Sequence, residues 1–391
     1  MNDTSRPFAT PVGPQLRVLV VDDSALQRTM LANLFAADPG IEVVGQAQDG
    51  PEAIRLTASL HPDVITIDLR MPGMDGLAAT RRIMQETPTP VVLVSAGISP
   101  EDRHLIGEAL AAGVLAVVAK PTPGPRGAQA TAELITTVKR MAGVRVIRRR
   151  SLERGNTGQL SPPTVPTNTG QLGPLPDSPA TLPSGPRPAI VAIGSSTGGP
   201  QALQTILTRL PATFQPPIVI VQHIAAGFAT SIVDWLGPQC ALPFQLVTAG
   251  MRLDRPGIYL APTGHHLVVQ GHGLVLNDEP PVRGHRPSAT NLFRSVAASY
   301  GSRAIGVLLT GMGDDGAAGL AEMKRLGATT IAQDEASSVV FGMPAAAIAL
   351  GVVDHIVSPA QIPALLQRLA AVEARRPARG LLPTRDPRAS G

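Results

Sequence analysis

The sequence is poor in cysteine, in aromatic residues and in long apolar segments, and each shortage excludes a class of protein. Cys240 is the only cysteine, so the chain has no intrachain disulfide and no site with several cysteine ligands. No apolar stretch near the N-terminus has the length of a signal peptide or a membrane helix, which predicts a cytoplasmic protein without direct membrane insertion. Aromatic residues make up only 3% of the chain, so Val, Leu, Ile and Ala must fill its cores.

The basic charge is small in total but concentrated in two places. The formal net charge is +4, and arginine clusters between residues 145 and 154 and between residues 375 and 388. Arginine-rich segments can bind phosphate backbones, but no aromatic residues interleave with these and no helix-turn-helix or zinc pattern accompanies them. We therefore interpret both clusters as solvated segments and predict no nucleic-acid partner.

The length of 391 residues predicts two domains, because one hydrophobic core rarely organises so long a chain. Residues 16–143 show five short apolar runs that alternate with helical patterns, which predicts a doubly wound parallel sheet. A second α/β pattern covers residues 188–372. The remaining stretches are rich in Pro, Gly, Thr, Ser or Arg, and we predict a disordered leader at 1–15, a flexible linker at 144–187 and a basic disordered tail at 373–391.

Acidic and other polar residues end the apolar runs of the first domain. Asp22 and Asp23 follow the first run, and Asp68 ends the third; neighbouring strands of an open parallel sheet meet there in a crevice. Three carboxylates would repel one another without a cation, and oxygen ligands suit Mg²⁺. A cation-bound Asp68 can attack phosphorus to give an acyl phosphate, while Ser95 and Lys120 can bind phosphoryl oxygens. The weaker alternative is that such carboxylates only cap helices.

This pattern resembles the receiver domain of response regulators, from Leu16 to about Arg140. The resemblance implies a flavodoxin-like fold and phosphorylation of Asp68 by a histidine kinase. It also implies that Asp22 acts through water and that Mg²⁺ is held by Asp23, Asp68 and the carbonyl group of Arg70.

One position departs from the receiver pattern. Three residues before Lys120, such domains usually carry Phe or Tyr, and this chain has Val117. The departure concerns transmission of the signal by an aromatic ring, and it leaves the phosphorylation chemistry intact.

The second domain begins with a candidate nucleophile. The apolar run Ile190–Ile193 leads into Gly194-Ser-Ser196-Thr-Gly198, which matches the sharp strand-to-helix turn that exposes a catalytic serine. The following helix would offer N–H groups and a positive dipole to an oxyanion. Taken alone, the same turn can equally bind a phosphate or a nucleotide.

A catalytic serine needs a base and a carboxylate that orients it. His223 ends the run IVIVQ, where a doubly wound sheet places its site, and the loop residue His285 is the chief rival. Asp314 and Asp315 lie in a glycine-rich turn after another run; either can cap a helix or bind Mg²⁺, and we favour Asp315 as the orienting carboxylate. The chain order Ser, His, Asp disfavours a lipase-like hydrolase, whose order is Ser, Asp, His.

Several blocks of the second domain, together with the receiver, resemble the chemotaxis protein-glutamate methylesterase (CheB) family. These blocks are GSSTGGPQAL, VIVQHI, PPVRGHRPS, LLTGMGDDGAAG and IAQDEASSVVFGMP. The resemblance implies a Rossmann-like catalytic domain that hydrolyses glutamate methyl esters on the cytoplasmic domains of chemoreceptors. Methanol would be released, receptor glutamines would often be deamidated, and the ester chemistry would need no cofactor.

The resemblance also assigns roles residue by residue. Ser196 matches the nucleophile, His223 the base and Asp315 the acid, while Thr197 and Met312 would line the oxyanion region. Two neighbours depart from the pattern: many members have Ala before the nucleophile and Asn before the acid, where this chain has Ser195 and Asp314. The extra carboxylate of Asp314 can shift local pKa values.

We predict that the unphosphorylated receiver covers the Ser196 cleft and that phosphorylation of Asp68 releases it. Two alternatives stay open. A non-catalytic, phosphorylation-dependent binding module predicts that a triad member is missing, and none is. A nucleotide-binding domain that uses Gly198 and Gly199 predicts a carboxylate about 20 residues further on, where the sequence reaches His223.

Overall fold

The structure is a computed structural model that describes residues 15–95, 100–121, 125–144 and 189–371. The predicted leader, linker and tail lie outside the described residues, apart from Gln15 and Val144. Both arginine clusters lie outside them as well.

The first domain is a five-stranded sheet in which helices connect successive strands. Its strands are β1 (Leu16–Val21), β2 (Ile41–Ala47), β3 (Val64–Ile67), β4 (Val91–Ser95) and β5 (Ala116–Ala119). Its helices are α1 (Ala25–Ala36), α2 (Gly50–Leu60), α3 (Gly76–Glu86), α4 (Pro100–Ala112) and α5 (Pro125–Met141). All pairings are parallel, in the order β2-β1-β3-β4-β5. This is the flavodoxin-like order, and the predicted fold of the first domain is confirmed.

The second domain is built on a larger parallel sheet. Its strands are β6 (Ile190–Ser195), β7 (Ile218–Gln222), β8 (Phe244–Leu246), β9 (Ile258–Leu260), β10 (His266–Gln270), β11 (Gly273–Asn277), β12 (Ala304–Leu308), β13 (Thr329–Gln333) and β14 (His355–Val357). Its helices are α6 (Gly199–Leu207), α7 (Ala229–Leu236), α8 (Ala289–Tyr300), α9 (Ala317–Arg325), α10 (Met343–Ala349) and α11 (Ile362–Ala371), with single 3₁₀ turns at Gly237–Gln239 and Gly301–Arg303.

The order of this second sheet determines where its polar strand ends meet. Seven strands run in parallel in the order β14-β13-β12-β6-β7-β9-β8, so the doubly wound fold is confirmed here too. The first strand, β6, lies between β7 and β12, and the chain winds outward from it in both directions. The crevice at the carboxyl ends of these three central strands is the topological switch point, where open α/β sheets bind ligands.

One short strand of the second domain lies outside the parallel sheet. This strand, β10, pairs with β11 as an antiparallel hairpin. The hairpin turns through Gly271, whose φ of +57° lies in the left-handed region that favours glycine. Its inner side chains, Leu267 and Val269, are buried against α8, so a short apolar run alone could not distinguish the two sheets.

The two domains pack against each other through α4 of the receiver and α7 of the second domain. Gly107 of α4 lies directly against Trp235 of α7, and one apolar cluster contains buried side chains from both domains. The buried amide of Gln201, on α6, donates hydrogen bonds to the carbonyl oxygens of Leu110 and Val114 at the end of α4. Among the described residues, none of the helices has the combination of length and hydropathy that spanning a bilayer requires.

Candidate active site and phospho-acceptor site

The predicted acidic residues of the receiver come together at the carboxyl ends of β1 and β3. Asp22, Asp23 and Asp68 each place one carboxylate oxygen within 4.8 Å of the others, with Asp22 and Asp68 buried and Asp23 exposed. The ammonium group of Lys120 lies 2.7 Å from an oxygen of Asp22 and 3.0 Å from one of Asp68. Closely spaced oxygen ligands with one side open to solvent fit a hard divalent cation such as Mg²⁺.

Burial and charge oppose each other at this cluster. Burial raises the pKa of Asp68, and this effect exceeds the lowering by the hydrogen bond and charge of Lys120. For Lys120, burial alone would lower the pKa, but the hydrogen bonds to Asp22 and Asp68 outweigh it and raise the pKa above its ordinary value. Lys120 is therefore held protonated against two carboxylates, and it supplies positive charge to the crevice.

The remaining receiver residues lie at the expected strand ends. Ser95 is buried at the end of β4 and pairs in register with Ala119 of β5, while Lys120 follows directly. The carboxylate of Asp68 accepts a hydrogen bond of 2.8 Å from the N–H of Leu69. Arg70, whose carbonyl group was predicted to bind Mg²⁺, is the next residue along the chain. The helix-capping alternative does not describe Asp22, because the cap of α1 is Ser24, whose hydroxyl accepts a hydrogen bond of 3.4 Å from the N–H of Gln27, while Asp22 accepts one of 3.0 Å from the N–H of Ser24 itself.

The predicted nucleophile turn joins β6 to α6. Gly198 forms the N-cap of α6 with a φ of +76°, and a Cβ atom there would lie 2.5 Å from the Cβ of Val339, so only glycine fits. Ser196 is half-buried at the start of the turn, and its N–H donates a hydrogen bond of 3.0 Å to the carbonyl oxygen of Thr310. The turn therefore presents Ser196 at the switch point, in front of the N-terminus of α6.

A residue that the sequence analysis missed supports this turn from the neighbouring strand. Gln222 is buried at the end of β7 and donates hydrogen bonds of 2.8 Å to the carbonyl oxygens of Ser196 and His223. The side-chain oxygen of Gln222, Oε1, accepts a hydrogen bond of 2.7 Å from the hydroxyl of Ser195. Ser195 is the position where the sequence analysis expected Ala in many family members. The signal in the sequence was a polar amide at the end of an otherwise apolar, buried strand.

His223 and Asp315 form the pair that the sequence analysis favoured. The Nε2 atom of His223 lies 2.9 Å from an Oδ atom of Asp315. Within the described part of the chain, the buried Nδ1 atom of His223 has no hydrogen-bond partner. When Nε2 carries the proton and donates a hydrogen bond to Asp315, Nδ1 is left as an acceptor. This is the state that a general base requires.

The carboxylate of Asp315 is held by the start of α8. It accepts hydrogen bonds from the hydroxyl of Ser288 at 2.7 Å and from the N–H groups of Ala289 and Thr290 at 2.7 and 3.1 Å. Burial alone would raise the pKa of Asp315, but the hydrogen bond and charge of His223, with those from Ser288 and Thr290, hold the pKa well below its usual range. Asp315 therefore stays ionised, and the positive end of the α8 dipole also favours its charge.

The neighbouring carboxylate has a separate partner. Asp314 forms an ion pair with Arg283, and both side chains are substantially exposed. The helix that follows this turn, α9, begins at a glycine N-cap, Gly316, so neither aspartate caps it. Asp315 does meet a helix N-terminus, but the helix is α8, which begins 26 residues earlier in the chain. The predicted effect of Asp314 on local pKa values stays a prediction.

Both domains contribute to one cavity of about 250 Å³ at the switch point. From the second domain, its lining includes Ser196, Thr197, His223, His285 and Met312. From the receiver, its lining includes Leu110, Val117, Glu133, Arg140 and Met141. Ser196, His223 and the predicted oxyanion residues therefore surround a single space, to which Asp315 is connected through its hydrogen bond to His223, and β5 and α5 of the receiver close its other side.

Comparison with known proteins agrees with this architecture. A model of the CheB methylesterase family matches residues 191–366, and a model of the response regulator receiver domain matches residues 18–131. A protein-glutamate methylesterase/protein-glutamine glutaminase of Anaeromyxobacter dehalogenans is 44% identical over 91% of this chain and 98% of its own length. The chain belongs to the CheB methylesterase family. Both matches fall inside the predicted domains, whose boundaries stay a prediction.

A second curated relative shares most of the chain, and a solved structure covers the second domain. A protein-glutamate methylesterase/protein-glutamine glutaminase of Geobacter metallireducens is 43% identical over 91% of this chain and 99% of its own length. Among solved structures, the CheB methylesterase catalytic domain of Thermotoga maritima is 37% identical, with a TM-score of 0.45, and covers 46% of this chain and 98% of its own.

Proposed function

We propose that this protein is a phosphorylation-controlled protein-glutamate methylesterase that also acts as a protein-glutamine glutaminase. The observation that carries the proposal is the His223–Asp315 pair, which leaves Nδ1 of His223 with no partner among the described residues, in the crevice that holds Ser196. The substrate class comes from the names of relatives that share about nine-tenths of the chain. A cytoplasmic location and the cytoplasmic domains of chemoreceptors as substrates belong to the same proposal.

The chemistry follows from the roles that the site offers. His223 takes the proton of the Ser196 hydroxyl as the oxygen attacks the ester carbonyl, and Asp315 stabilises the imidazolium that forms. The N-terminus of α6, with Thr197 and Met312, faces the developing oxyanion. His223 then gives its proton to the leaving group, and methanol departs from an ester, or ammonia from an amide. Water attacks the acyl-enzyme by the same route in reverse and leaves glutamate.

The receiver would control this chemistry by covering the site. Val117 and Arg140 line the cavity that contains Ser196, so in this arrangement of the domains a receptor helix cannot approach the nucleophile. Asp68 is the proposed phospho-acceptor, with a histidine kinase as the donor and Ser95 and Lys120 as ligands of the phosphoryl group. Asp22, Asp23 and Asp68 would hold Mg²⁺, which would neutralise charge on the phosphoryl oxygens.

The decisive experiment measures methanol released from methylated receptors, with and without a small phosphodonor. The wild-type protein should release methanol, faster with the phosphodonor, while Ser196→Ala should release none. Asp68→Ala should keep the basal rate and lose the stimulation. The matched control is Ser302→Ala, an exposed serine in a 3₁₀ turn, which should behave as the wild type.

The same experiment separates the esterase from a non-catalytic binding module. A module of that kind would bind receptors in response to phosphorylation but would release no methanol under any condition. Full activity in Ser196→Ala would instead show that a different nucleophile operates.

A further inference from the structure

The loop between β11 and α8 carries a second histidine to the catalytic base. The ring of His285 lies on the ring of His223 with 3.9 Å between their centroids and 1° between their planes. In the described part of the chain, the carboxylate of Asp315 bonds His223 and not His285, and this contact favours His223 over His285 for the role of base. His285 is half-buried and faces the cavity that contains Ser196.

Backbone contacts fix the loop that carries His285. Val282 and His285 exchange two hydrogen bonds, of 3.1 and 2.9 Å, which close a tight turn. The next residue, Arg286, donates from its guanidinium to the carbonyl oxygen of Asp278 at 3.1 Å, and its own carbonyl oxygen accepts from the N–H of Gly264 at 3.1 Å. His285 is therefore presented by a segment that is anchored on both sides.

The end of the same loop reaches the catalytic carboxylate. The N–H of Ser288 donates a hydrogen bond of 3.2 Å to Nδ1 of the fully buried His266, and the Ser288 hydroxyl donates to Asp315. Within four residues, the loop places one ring against His223 and one hydroxyl on Asp315. Both members of the pair are thus contacted by a segment to which sequence analysis gave no role beyond that of a rival base.

We propose that His285 is a positioning residue that holds the imidazole plane of His223, so that Nε2 stays on Asp315 and Nδ1 stays directed at the nucleophile. The inference rests on the proposed function, since it assigns His223 as the base of that reaction. His285 contacts neither the nucleophile nor the carboxylate through a hydrogen bond in the described residues; it acts through His223.

The geometry explains why a flat ring is needed at this position. Rotation about the Cβ–Cγ bond of a histidine is broad and only roughly two-fold, so the hydrogen bond to Asp315 alone leaves the ring free to tilt. Tilting would move Nδ1 away from the nucleophile, and a displacement of about 1 Å can cost a hundredfold in rate. A parallel ring at 3.9 Å covers one face of His223 and blocks this motion.

The stacked geometry of His285 and His223 follows from the position of the loop, because it is not the arrangement that aromatic rings prefer. Aromatic pairs usually prefer offset or edge-to-face arrangements with centroids about 4.5–7 Å apart. A parallel pair at 3.9 Å is closer and less offset than this preference. The interaction becomes favourable when His223 takes the proton, because a cation is attracted to the face of a neutral aromatic ring.

Burial, together with the charges around the pair, keeps His285 neutral. The groups that act on it are His223, Asp315 and, from α5 of the receiver, Arg140, while Glu133 and Arg286 also line the cavity. Burial, followed by the charges of His223 and Arg140, outweighs the opposing effect of Asp315 and lowers the pKa of His285 to about 4. His285 is therefore uncharged at neutral pH and does not repel the imidazolium of His223.

The test compares His285→Ala and His285→Phe in the full chain, activated by a phosphodonor, with methylated receptors as substrate. His285→Ala should lower kcat about ten- to a hundredfold with KM within about twofold of the wild-type value. His285→Phe should restore kcat to within about threefold, since it keeps the flat ring, and its pH–rate profile should superimpose on that of the wild type. His265→Ala is the matched control, because it removes an exposed histidine that pairs with Asp278 outside the cavity.

Each result decides the matter. A kcat for His285→Ala within twofold of the wild type would overturn the positioning role. So would a His285→Phe protein as slow as His285→Ala, or one that loses an ionisation present in the wild-type pH profile, because His285 would then act by titrating. If the wild type and His265→Ala release no methanol, the proposed function itself fails. If the wild type is active, Ser196→Ala is inactive and His285→Ala is unimpaired, only the inference about His285 fails.

Discussion

The contact between Gly107 and Trp235 offers a direct way to separate the two domains. A Cβ atom at position 107 would lie 2.1 Å from the Cβ and 2.4 Å from the Cγ of Trp235. Carbon atoms pack at about 3.5–4.0 Å, so the interface must open by more than 1 Å. The Cβ of Trp235 is fixed to the backbone of α7, so a change of rotamer cannot relieve this contact. We expect Gly107→Ala to raise basal activity in the absence of a phosphodonor.

The size of the effect follows from two opposing contributions. Overpacking an interior contact typically costs about 1–3 kcal/mol, and each 1.4 kcal/mol changes an equilibrium constant about tenfold. The ratio of covered to open protein should therefore fall about 5- to 150-fold. Within α4 itself, alanine stabilises the helix by about 0.5–1 kcal/mol relative to glycine, so the receiver should remain folded. Basal activity should rise by the same factor, up to the level of the phosphorylated protein.

The assay combines methanol release with the fluorescence of the single tryptophan. Trp235 is 4% exposed and lies at the interface, so its emission should shift to longer wavelength when the receiver moves away. Wild-type protein should show this shift only with a phosphodonor and Mg²⁺, and Gly107→Ala should show it without either. The control is Gly143→Ala, in the same domain, where an added Cβ would meet no atom within 4 Å.

The outcome that refutes the reasoning is specific. If Gly107→Ala has wild-type basal activity and wild-type emission, the α4–α7 contact does not cover the active site. If the emission shifts but the activity does not rise, the domains separate without exposing Ser196, and the receiver does not inhibit by covering the cleft.

Three further predictions concern individual ionisable groups. Asp315→Asn should lower kcat about 10⁴-fold, because the amide cannot stabilise the imidazolium of His223. Relative to the wild type, the loss in the free energy of unfolding should be greatest above about pH 5 and should fade as the pH drops below 4. The reason is that the pKa of Asp315 is depressed in the folded state, so the ionised carboxylate stabilises the fold above the unfolded-state pKa, and this stabilisation is lost as the pH falls towards the folded-state pKa. Urea unfolding at several pH values measures this dependence. Lys120→Gln should lower the free energy of unfolding by about 3 kcal/mol, because two buried carboxylates, Asp22 and Asp68, lose the ammonium group between them. In thermal melts Mg²⁺ should restore part of this loss, and an equal loss with and without Mg²⁺ would contradict a cation site at these carboxylates. Burial raises the pKa of Cys240 to about 11, so its alkylation at pH 8 should be about a hundredfold slower in the folded than in the unfolded protein, and equal rates would be inconsistent with this burial.

Patterns that repeat within one element could be predicted from the sequence. Buried parallel strands form continuous apolar runs, so β3, β6 and β7 could be recognised in the sequence, and the polar residues directly after them are Asp68, Ser196 and His223. The rule that open sheets bind ligands at their carboxyl ends then predicted that Asp68 lies beside Asp22 and Asp23 in the first sheet, and that Ser196 lies beside His223 in the second.

Contacts between distant loops could not be predicted in the same way. Ser288 bonds Asp315 across 27 positions, and His285 stacks on His223 across more than twice that separation, with no periodicity to join either pair. Gln222 looked like the polar end of a strand, and only the structure shows its amide bridging two catalytic segments. The sequence could therefore name the reacting groups, while the groups that orient them depend on how loops return to the sheet.

The position of Val117 bears on how phosphorylation reaches the active site. Val117 lies in β5 and lines the cavity that contains Ser196, and Lys120 follows the same strand with its ammonium group on Asp68. Lys120, which contacts the proposed phospho-acceptor Asp68, is thus only three positions from Val117, which lines the cavity. If Lys120 exchanges its contact with Asp68 for one with a phosphoryl group, the change acts directly on β5, the strand that lines the cavity containing Ser196. We therefore expect β5 itself to transmit phosphorylation of Asp68 to the cavity without an aromatic ring, because Lys120 contacts Asp68 and Val117 lines the cavity.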